Sequence, residues 1–136
     1  MLAIVLSWIT MLAPLEPRTQ TDPIAAAIAS AAGDDVAMAA TLTAISFSET
    51  RLGHHGVPFG ACGHLCRHHC GTCHAVPLPE VAAWSAGVIR RGLAICGGNR
   101  RCSLVYFHLG TTRDWRSDRF AATEARNVER MLAARR

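Results

Sequence analysis

Apolar residues recur every three or four positions along most of this chain, which is the spacing of one buried face of an α-helix. No stretch alternates apolar and polar residues for long enough to predict a β-strand. The pattern therefore predicts a mainly α protein. The predicted helices are Ile24–Ala32, a helix that begins after Asp34 or Asp35 and ends at Gly53, a helix from Pro79 to Gly97–Gly98, a short helix from Asn99 to Leu109, and Arg119–Ala134.

Capping residues set the ends of these helices. Asp22 before Pro23 is typical of a helix start, because aspartate accepts hydrogen bonds from free backbone N–H groups and proline lacks one. Asn99 is a second N-cap candidate. Gly33 and Gly110 are expected to end helices, since glycine readily adopts the left-handed conformation found there.

The second predicted helix places a carboxylate on its apolar face. The face consists of residues separated by four, three, four and three positions, namely Met38, Leu42, Ile45, Glu49 and Leu52. An ionisable side chain rarely occupies such a face without a partner or a function. Glu49 is therefore the first candidate functional residue.

Two later helices are also amphipathic, and their spacing predicts which side chains are buried. The predicted core face of the helix that Pro79 opens is Val81, Trp84, Val88 and Ile95. The predicted core face of the last helix is Phe120, Val128, Met131 and Leu132.

The chain begins with an almost wholly apolar stretch, Met1–Ala13. It is too short to cross a bilayer comfortably, so no stable membrane span is predicted, but it suits the apolar core of a signal peptide. We therefore expect an N-terminal apolar segment with its linker, residues 1–21, one domain, residues 22–136, and export to the periplasm or the extracellular space. The alternatives are a buried N-terminal helix and a short membrane-anchored interaction protein.

The composition is that of a globular protein, because half of the 136 residues are apolar and only 18% are charged. This length allows one domain with a single core, and we expect a monomer. The formal charge is +4 and every basic residue is arginine, which favours acidic partners. Because the arginines are scattered and not interleaved with aromatic residues, nucleic acid is not an expected partner.

The six cysteines are the most prominent reactive residues in the sequence. Four of them lie in a segment rich in histidine and glycine, His54–Pro79, which is predicted to be an irregular loop: Cys62, Cys66, Cys70 and Cys73. Disulfides are the favoured interpretation for an exported protein, and a structural zinc site at these four is the alternative. Cys96 and Cys102 flank a short glycine-rich turn and are predicted to bond to each other. No catalytic metal or other cofactor is expected.

Three short segments together resemble a known family. The sequence AISFSETR at residues 44–51 is similar to the end of the catalytic helix in lytic transglycosylases and goose-type lysozymes. GACGHLC at residues 60–66 is similar to that family's Gly-Ala-x-Gly-Leu-Met-Gln motif, and FHLG at residues 107–110 to its Tyr-Asn-x-Gly motif. In this register Cys66 stands in place of the family's glutamine, Phe107 in place of its tyrosine, with Tyr106 one residue away, and His108 in place of its asparagine.

The resemblance covers about Pro23–Leu132 and implies a lysozyme-like helical domain. It implies an exported or virion-associated enzyme that cleaves the bond between N-acetylmuramic acid and N-acetylglucosamine in peptidoglycan glycan strands. Glu49 would be the single catalytic acid and base, and the muramic 6-hydroxyl would close a 1,6-anhydro ring. The implied substrate-binding residues are Thr50, Gly60, Ala61, Cys66, Tyr106, Phe107 and His108. Trp115 joins them as an aromatic residue in a polar loop that suits stacking on a sugar.

Independently of the resemblance, Glu49 is expected to act as an acid, because its apolar neighbours favour the neutral, proton-donating form of the carboxyl group. The nearest acids along the helix, Asp34 and Asp35, lie about 20 Å away at the usual helical rise. The alternative for Glu49 is a salt bridge to Arg51 or Arg113. The alternative for the whole protein is an inactive, disulfide- or zinc-stapled cell-wall binding module of the same fold.

Overall fold

The computed structural model describes residues 1–54, 58–60 and 76–135, and all regular structure in these ranges is helical. The prediction of a mainly α protein is confirmed. The helices are α1 (Leu2–Leu12), α2 (Arg18–Ala32), α3 (Val36–Thr50), α4 (Leu78–Ile95), α5 (Arg100–Leu109) and α6 (Arg119–Ala133). A 3-10 turn, Pro58–Gly60, lies between α3 and α4 in the chain.

Helix α3 is the centre of the packing. It contacts α1, α2, α4, α6 and the 3-10 turn, so it has neighbours on nearly every side. Its alanines, such as Ala39, Ala40 and Ala44, are fully buried and let those neighbours approach closely. The predicted apolar face is confirmed at Met38, Leu42, Ile45 and Leu52, which are all buried. A side chain near the end of this helix therefore lies at the edge of the core.

Helix α1 packs on the rest of the protein through one face. Val5, Trp8 and Ile9 are buried, and the helix contacts α2 and α3. Among the described residues, no helix is both long and apolar enough to cross a membrane. Helix α1 thus has one buried face and one exposed face, and whether residues 1–13 act as a signal peptide stays a prediction.

Helix α2 begins earlier than predicted. It starts at Arg18 and continues through Asp22 and Pro23, so Asp22 is not its N-cap. Asp22 instead forms an ion pair with Arg18, one turn before it, with 2.8 Å between Oδ1 of Asp22 and Nε of Arg18. The helix tolerates the missing N–H of Pro23 because the surrounding turn is buried at Thr21 and Ile24, and tertiary packing outweighs the lost hydrogen bond.

The caps near the candidate site were largely predictable. The Asp35 carboxylate accepts a hydrogen bond from the Met38 backbone N–H at 2.9 Å, and the Asn99 side chain accepts one from Cys102 at 3.0 Å. Gly110 ends α5 with a φ of 67°. The end of α3 differs from the prediction, because the helix stops at Thr50 and the next two residues adopt positive φ before Gly53.

The core face of α4 is not the predicted one. Ile95 is 55% exposed and Trp84 and Val88 are only partly buried, whereas Ser85, Ile89 and Gly92 are buried along with Val81. The reason is a close approach to α5: a Cβ on Gly92 would lie 2.8 Å from the Ser103 hydroxyl oxygen. Small residues therefore decide which face of α4 meets its neighbour.

The core face of α6 is also shifted from the predicted one. Phe120 is 45% exposed, while Val128 and Met131 are fully buried as expected and Leu132 is partly buried. Ala121 and Glu124 lie on the buried face instead, where α6 packs against α3 and α5. A carboxylate thereby enters the core at a position that the sequence analysis did not single out.

One predicted disulfide is confirmed. Cys96, just after α4, is bonded to Cys102 in α5, with 5.9 Å between their Cα atoms. The other four cysteines, Cys62, Cys66, Cys70 and Cys73, lie outside the described residues, so the choice between disulfides and zinc there stays a prediction.

Candidate functional site

Glu49 lies in the last turn of α3, at the boundary between the core and solvent. Its side chain is 26% exposed. Glu49 Oε1 is 2.9 Å from Nδ1 of His108, a residue in the last turn of α5. Two segments that are far apart in the sequence, each part of a proposed motif, thus meet through one short hydrogen bond.

The opposite side of the His108 ring faces a second carboxylate. Its Nε2 is 2.7 Å from Oε2 of Glu124 on α6. Exposure falls along this series, since the His108 side chain is 14% exposed and the Glu124 side chain is completely buried. We call Glu49, His108 and Glu124 the acid–histidine cluster. It joins the ends of two helices to the middle of a third.

Local structure fixes the position of α6 relative to α5. Asp118 caps α6 by accepting a hydrogen bond from the Ala121 N–H at 2.8 Å. The Arg101 guanidinium on α5 donates to the Asp118 carbonyl oxygen at 2.9 Å, which ties the start of α6 to α5. Glu124 follows six residues after this cap, about 1.7 helical turns, on the face that meets His108.

Two aromatic rings hold the imidazole of His108. Phe107 and Phe120 both meet it edge-on, with centroid distances of 5.2 and 5.1 Å. Edge-to-face contacts of this kind favour one ring orientation. The partly exposed Phe120 therefore has a packing contact of its own, and the ring nitrogens stay directed at the two carboxylates.

The electrostatics of the cluster favour a charged imidazole. Burial alone lowers the pKa of His108, but hydrogen bonds with Glu124 and Glu49 and the negative charges of both raise it, and the net result is about 9 against a usual 6.5. A ring with both nitrogens facing carboxylate oxygens is best satisfied when both carry protons. His108 therefore carries a positive charge at neutral pH.

Glu124 is the member of the cluster whose burial is least favourable for stability. Burial raises its pKa, as do the charges of Glu49 and Asp118, while the hydrogen bond and charge of His108 oppose this. Its second oxygen, Oε1, is buried and has no hydrogen-bond partner among the described residues. A buried oxygen left in this state costs stability, and such costs are concentrated at functional sites.

The cluster is also the set of described residues with metal-binding potential. The candidate ligand atoms of Glu49, His108 and Glu124 all lie within 4.8 Å of one another. In the observed geometry, however, both imidazole nitrogens face carboxylate oxygens. Metal binding would require the ring to lose a proton and one of these hydrogen bonds.

The other predicted site residues near Glu49 have structural contacts. The Thr50 hydroxyl donates to the Ser46 carbonyl oxygen at 3.2 Å and accepts from the Gly53 N–H at 2.9 Å, so it helps to end α3. Gly60 closes the 3-10 turn, which packs against α3. Ala61 and Cys66 lie outside the described residues, and their role in binding stays a prediction.

The aromatic candidates divide into core and surface. Phe107 is buried, with its ring centroid 6.4 Å from that of Trp84, whereas Tyr106 beside it is partly buried. Trp115 is partly buried in the loop before α6 and carries the Arg116 guanidinium 4.7 Å from its ring centroid. With Asp114 it lines a cavity of about 400 Å³, so this loop offers a separate concave surface.

The ion-pair partner of Glu49 is a histidine rather than an arginine. Within the described ranges, no arginine lies within ion-pair distance of its carboxylate, so the predicted pairing with Arg51 or Arg113 is not seen there. Glu124 was missed, although a signal existed: Ala121, Glu124, Val128 and Met131 have spacings of three, four and three. The same kind of spacing had identified Glu49.

No protein-family model, no curated protein and no solved structure matches this chain. The function therefore has to be argued from the residues of the site.

Proposed function

We propose that this protein is a peptidoglycan lytic transglycosylase with a lysozyme-like fold, exported from the cell or carried by a virion, and that Glu49 is its catalytic acid and base. The observation that carries the proposal is the 2.9 Å hydrogen bond from His108 to a carboxylate at the edge of the core. It supports a common site for the segments around Glu49 and His108, both of which belong to the motifs that resemble the family.

Glu49 is suited to exchange a proton with a substrate. Its side chain is partly exposed, and His108 holds its Oε1; within the described ranges, no hydrogen bond or ion pair engages Oε2. A protonated Glu49 would donate to the glycosidic oxygen as the bond to the muramic carbon breaks. The resulting carboxylate would take the proton of the 6-hydroxyl as that oxygen attacks the same carbon, which gives a 1,6-anhydro product and consumes no water.

The second carboxylate favours this lyase over a hydrolase. Hydrolytic glycosidases place two carboxyl groups against the sugar, one as acid and one as base or nucleophile. Glu124 is completely buried behind His108 and cannot touch a substrate without a rearrangement of the core. Among the described members of the cluster, only Glu49 is positioned for direct contact with a substrate that enters from solvent.

The test is digestion of purified sacculi followed by mass spectrometry of the soluble fragments. We expect 1,6-anhydromuropeptides from the unmodified protein and none from Glu49→Gln, which keeps the size of the side chain but removes its acid. Glu129→Gln is the matched control, because Glu129 lies exposed on α6 away from the cluster and should leave product formation unchanged. Circular dichroism would establish that both variants are folded.

Two outcomes would contradict the proposal. Fragments with reducing muramic ends would indicate hydrolysis instead of transglycosylation. Absence of any product, with retained binding of the protein to sacculi, would support an inactive cell-wall binding module. One observation favours the second candidate: His108 pairs with both Glu49 and Glu124, and such contacts can also serve only to join helices.

A further inference from the structure

Glu124 and His108 form a buried support behind the partly exposed Glu49. The three side chains are completely buried, 14% exposed and 26% exposed, in order from the core toward solvent. Both links are short, at 2.7 and 2.9 Å, and each joins a different pair of helices. A chain of contacts that runs from a buried carboxyl group to a carboxyl group at the surface can control the orientation of the surface group.

We infer that Glu124 is a positioning residue for Glu49: through His108 it fixes Oε1 of Glu49 and leaves Oε2 as the atom that exchanges a proton with the substrate. This inference rests on the proposed function. His108 is likewise a positioning residue, because it contacts Glu49 and not the sugar.

The proton count of the proposed step is simple. The proton on Glu49 Oε2 passes to the glycosidic oxygen, and the bond between that oxygen and the muramic carbon breaks. The 6-hydroxyl then bonds to the carbon and returns its proton to Oε2. Both N–H groups of His108 stay in place throughout, where the ring stabilises the carboxylate that forms when Glu49 gives up its proton.

The buried position of Glu124 is what makes this support stiff. A carboxylate in water would exchange partners, but Glu124 faces the ring inside the core, and Phe107 and Phe120 restrict the ring on other sides. Catalytic groups held by locked neighbours lose less rate to misorientation than groups on mobile side chains. Among the described residues, Oε1 of Glu124 has no hydrogen-bond partner, and the stability that this costs is explained if Glu124 serves to position His108.

The charged groups around the ring make the inference measurable. Among the described residues, Glu49 on α3 and Glu124 on α6 are the charged groups that act on His108, and Asp118 at the start of α6 acts on Glu124 in turn. The nearest part of α5 itself contributes Phe107, which does not titrate. Removal of the Glu124 charge should therefore change the pKa of the His108 imidazole directly.

The variant that tests this is Glu124→Gln, which keeps a hydrogen-bonding group of the same size, with Glu129→Gln as the control on the same helix. Two quantities are measured on the full chain between about pH 5 and pH 10, a range that covers the titration of histidine. The first is the imidazole pKa of His108 by NMR, with the signal assigned by its loss in His108→Asn. The second is the pH profile of kcat and KM on solubilised glycan strands.

For the unmodified protein we expect the imidazole to titrate near 9. In Glu124→Gln the pKa of His108 should move down by about 1 to 3 pH units, the usual effect of losing one adjacent opposite charge. At pH 8 the loss should appear mainly in kcat, since Glu124 makes no contact with the substrate. Glu129→Gln should change neither quantity.

Failure of the inference and failure of the proposed function are distinguishable. Active protein with the same kcat profile in Glu124→Gln would overturn the positioning role alone. Inactivity of the unmodified protein at every pH would overturn the proposed function and the role with it. If Glu124→Gln does not fold, the unmodified protein decides: an imidazole that titrates near 9 supports the inference, and one that titrates below about pH 7, the range of an unperturbed histidine, contradicts it.

Discussion

The two ends of α5 are held by different kinds of contact. Near its start, small residues and the Cys96–Cys102 disulfide join it to α4, and the Ser103 hydroxyl donates to the Ile89 carbonyl oxygen at 3.0 Å. At its end, His108 joins it to α3 and α6 through two carboxylates. The first junction depends on close packing and a covalent bond, whereas the second depends on charge and therefore on pH.

The two junctions also differ in whether they can take part in a reaction. A junction of buried small residues can do little besides support the fold. A junction with one carboxylate at the surface and another in the core costs stability, and this cost is explained if the arrangement serves a reaction. The four experiments that follow change one junction at a time.

The largest effect is expected from His108→Leu. This variant leaves Glu124 buried without its partner, which typically costs about 3 to 5 kcal/mol in the free energy of unfolding. The double variant His108→Leu/Glu124→Leu should recover most of this loss, because both charges are removed together. Chemical denaturation of the three proteins measures it, and a double variant as unstable as the single one would show that the pair itself stabilises the fold.

The next effect concerns the other end of α5. Cys96→Ala/Cys102→Ala opens a short covalent loop, and we expect the free energy of unfolding to fall by about 2 kcal/mol, the value for a loop of this size. Transglycosylase activity at temperatures where the variant is folded should be retained, since the disulfide does not contact the acid–histidine cluster. Loss of activity in the folded variant would mean that the two junctions are coupled.

A smaller effect is expected from Gly92→Ala. The added Cβ would lie 2.8 Å from the Ser103 hydroxyl oxygen and 3.1 Å from its carbonyl oxygen, so α4 and α5 must separate slightly. After the helix-propensity gain of alanine, the net loss should be about 1 to 2 kcal/mol. Gly87→Ala on the same helix is the matched control, because nothing lies within 4 Å of its added Cβ, and it should be neutral or stabilising.

The sequence predicted the fold better than it predicted the site. Asp35, Asn99 and Gly110 act as predicted because capping is local: the side chain and the backbone groups that it serves are neighbours in the chain. The prediction that α2 starts after Asp22 was wrong for the opposite reason. Burial of a turn by residues distant in the chain outweighed the local tendency of Asp22 and Pro23 to start a helix.

Glu49 was found from its place on an apolar stripe, but its partners were not. The contact with His108 joins residues that only folding brings together, and no local pattern encodes it. Glu124 had the same spacing signal as Glu49. Phe120 precedes Glu124 by four positions and lies on the same side of α6, but it is at the edge of the core, where it is 45% exposed and packs against the His108 ring, whereas Glu124 is completely buried.

The most direct measurement of the charged junction is the free energy of unfolding as a function of pH. The folded-state pKa of His108 is raised from 6.5 to about 9, so its contribution is complete below about pH 6.5 and is lost as pH rises through about 9. Burial raises the pKa of Glu124 as well, which acts in the same direction. The unmodified protein should lose stability over this interval and His108→Leu/Glu124→Leu should not; equal slopes for the two proteins would contradict a charged histidine between the two carboxylates.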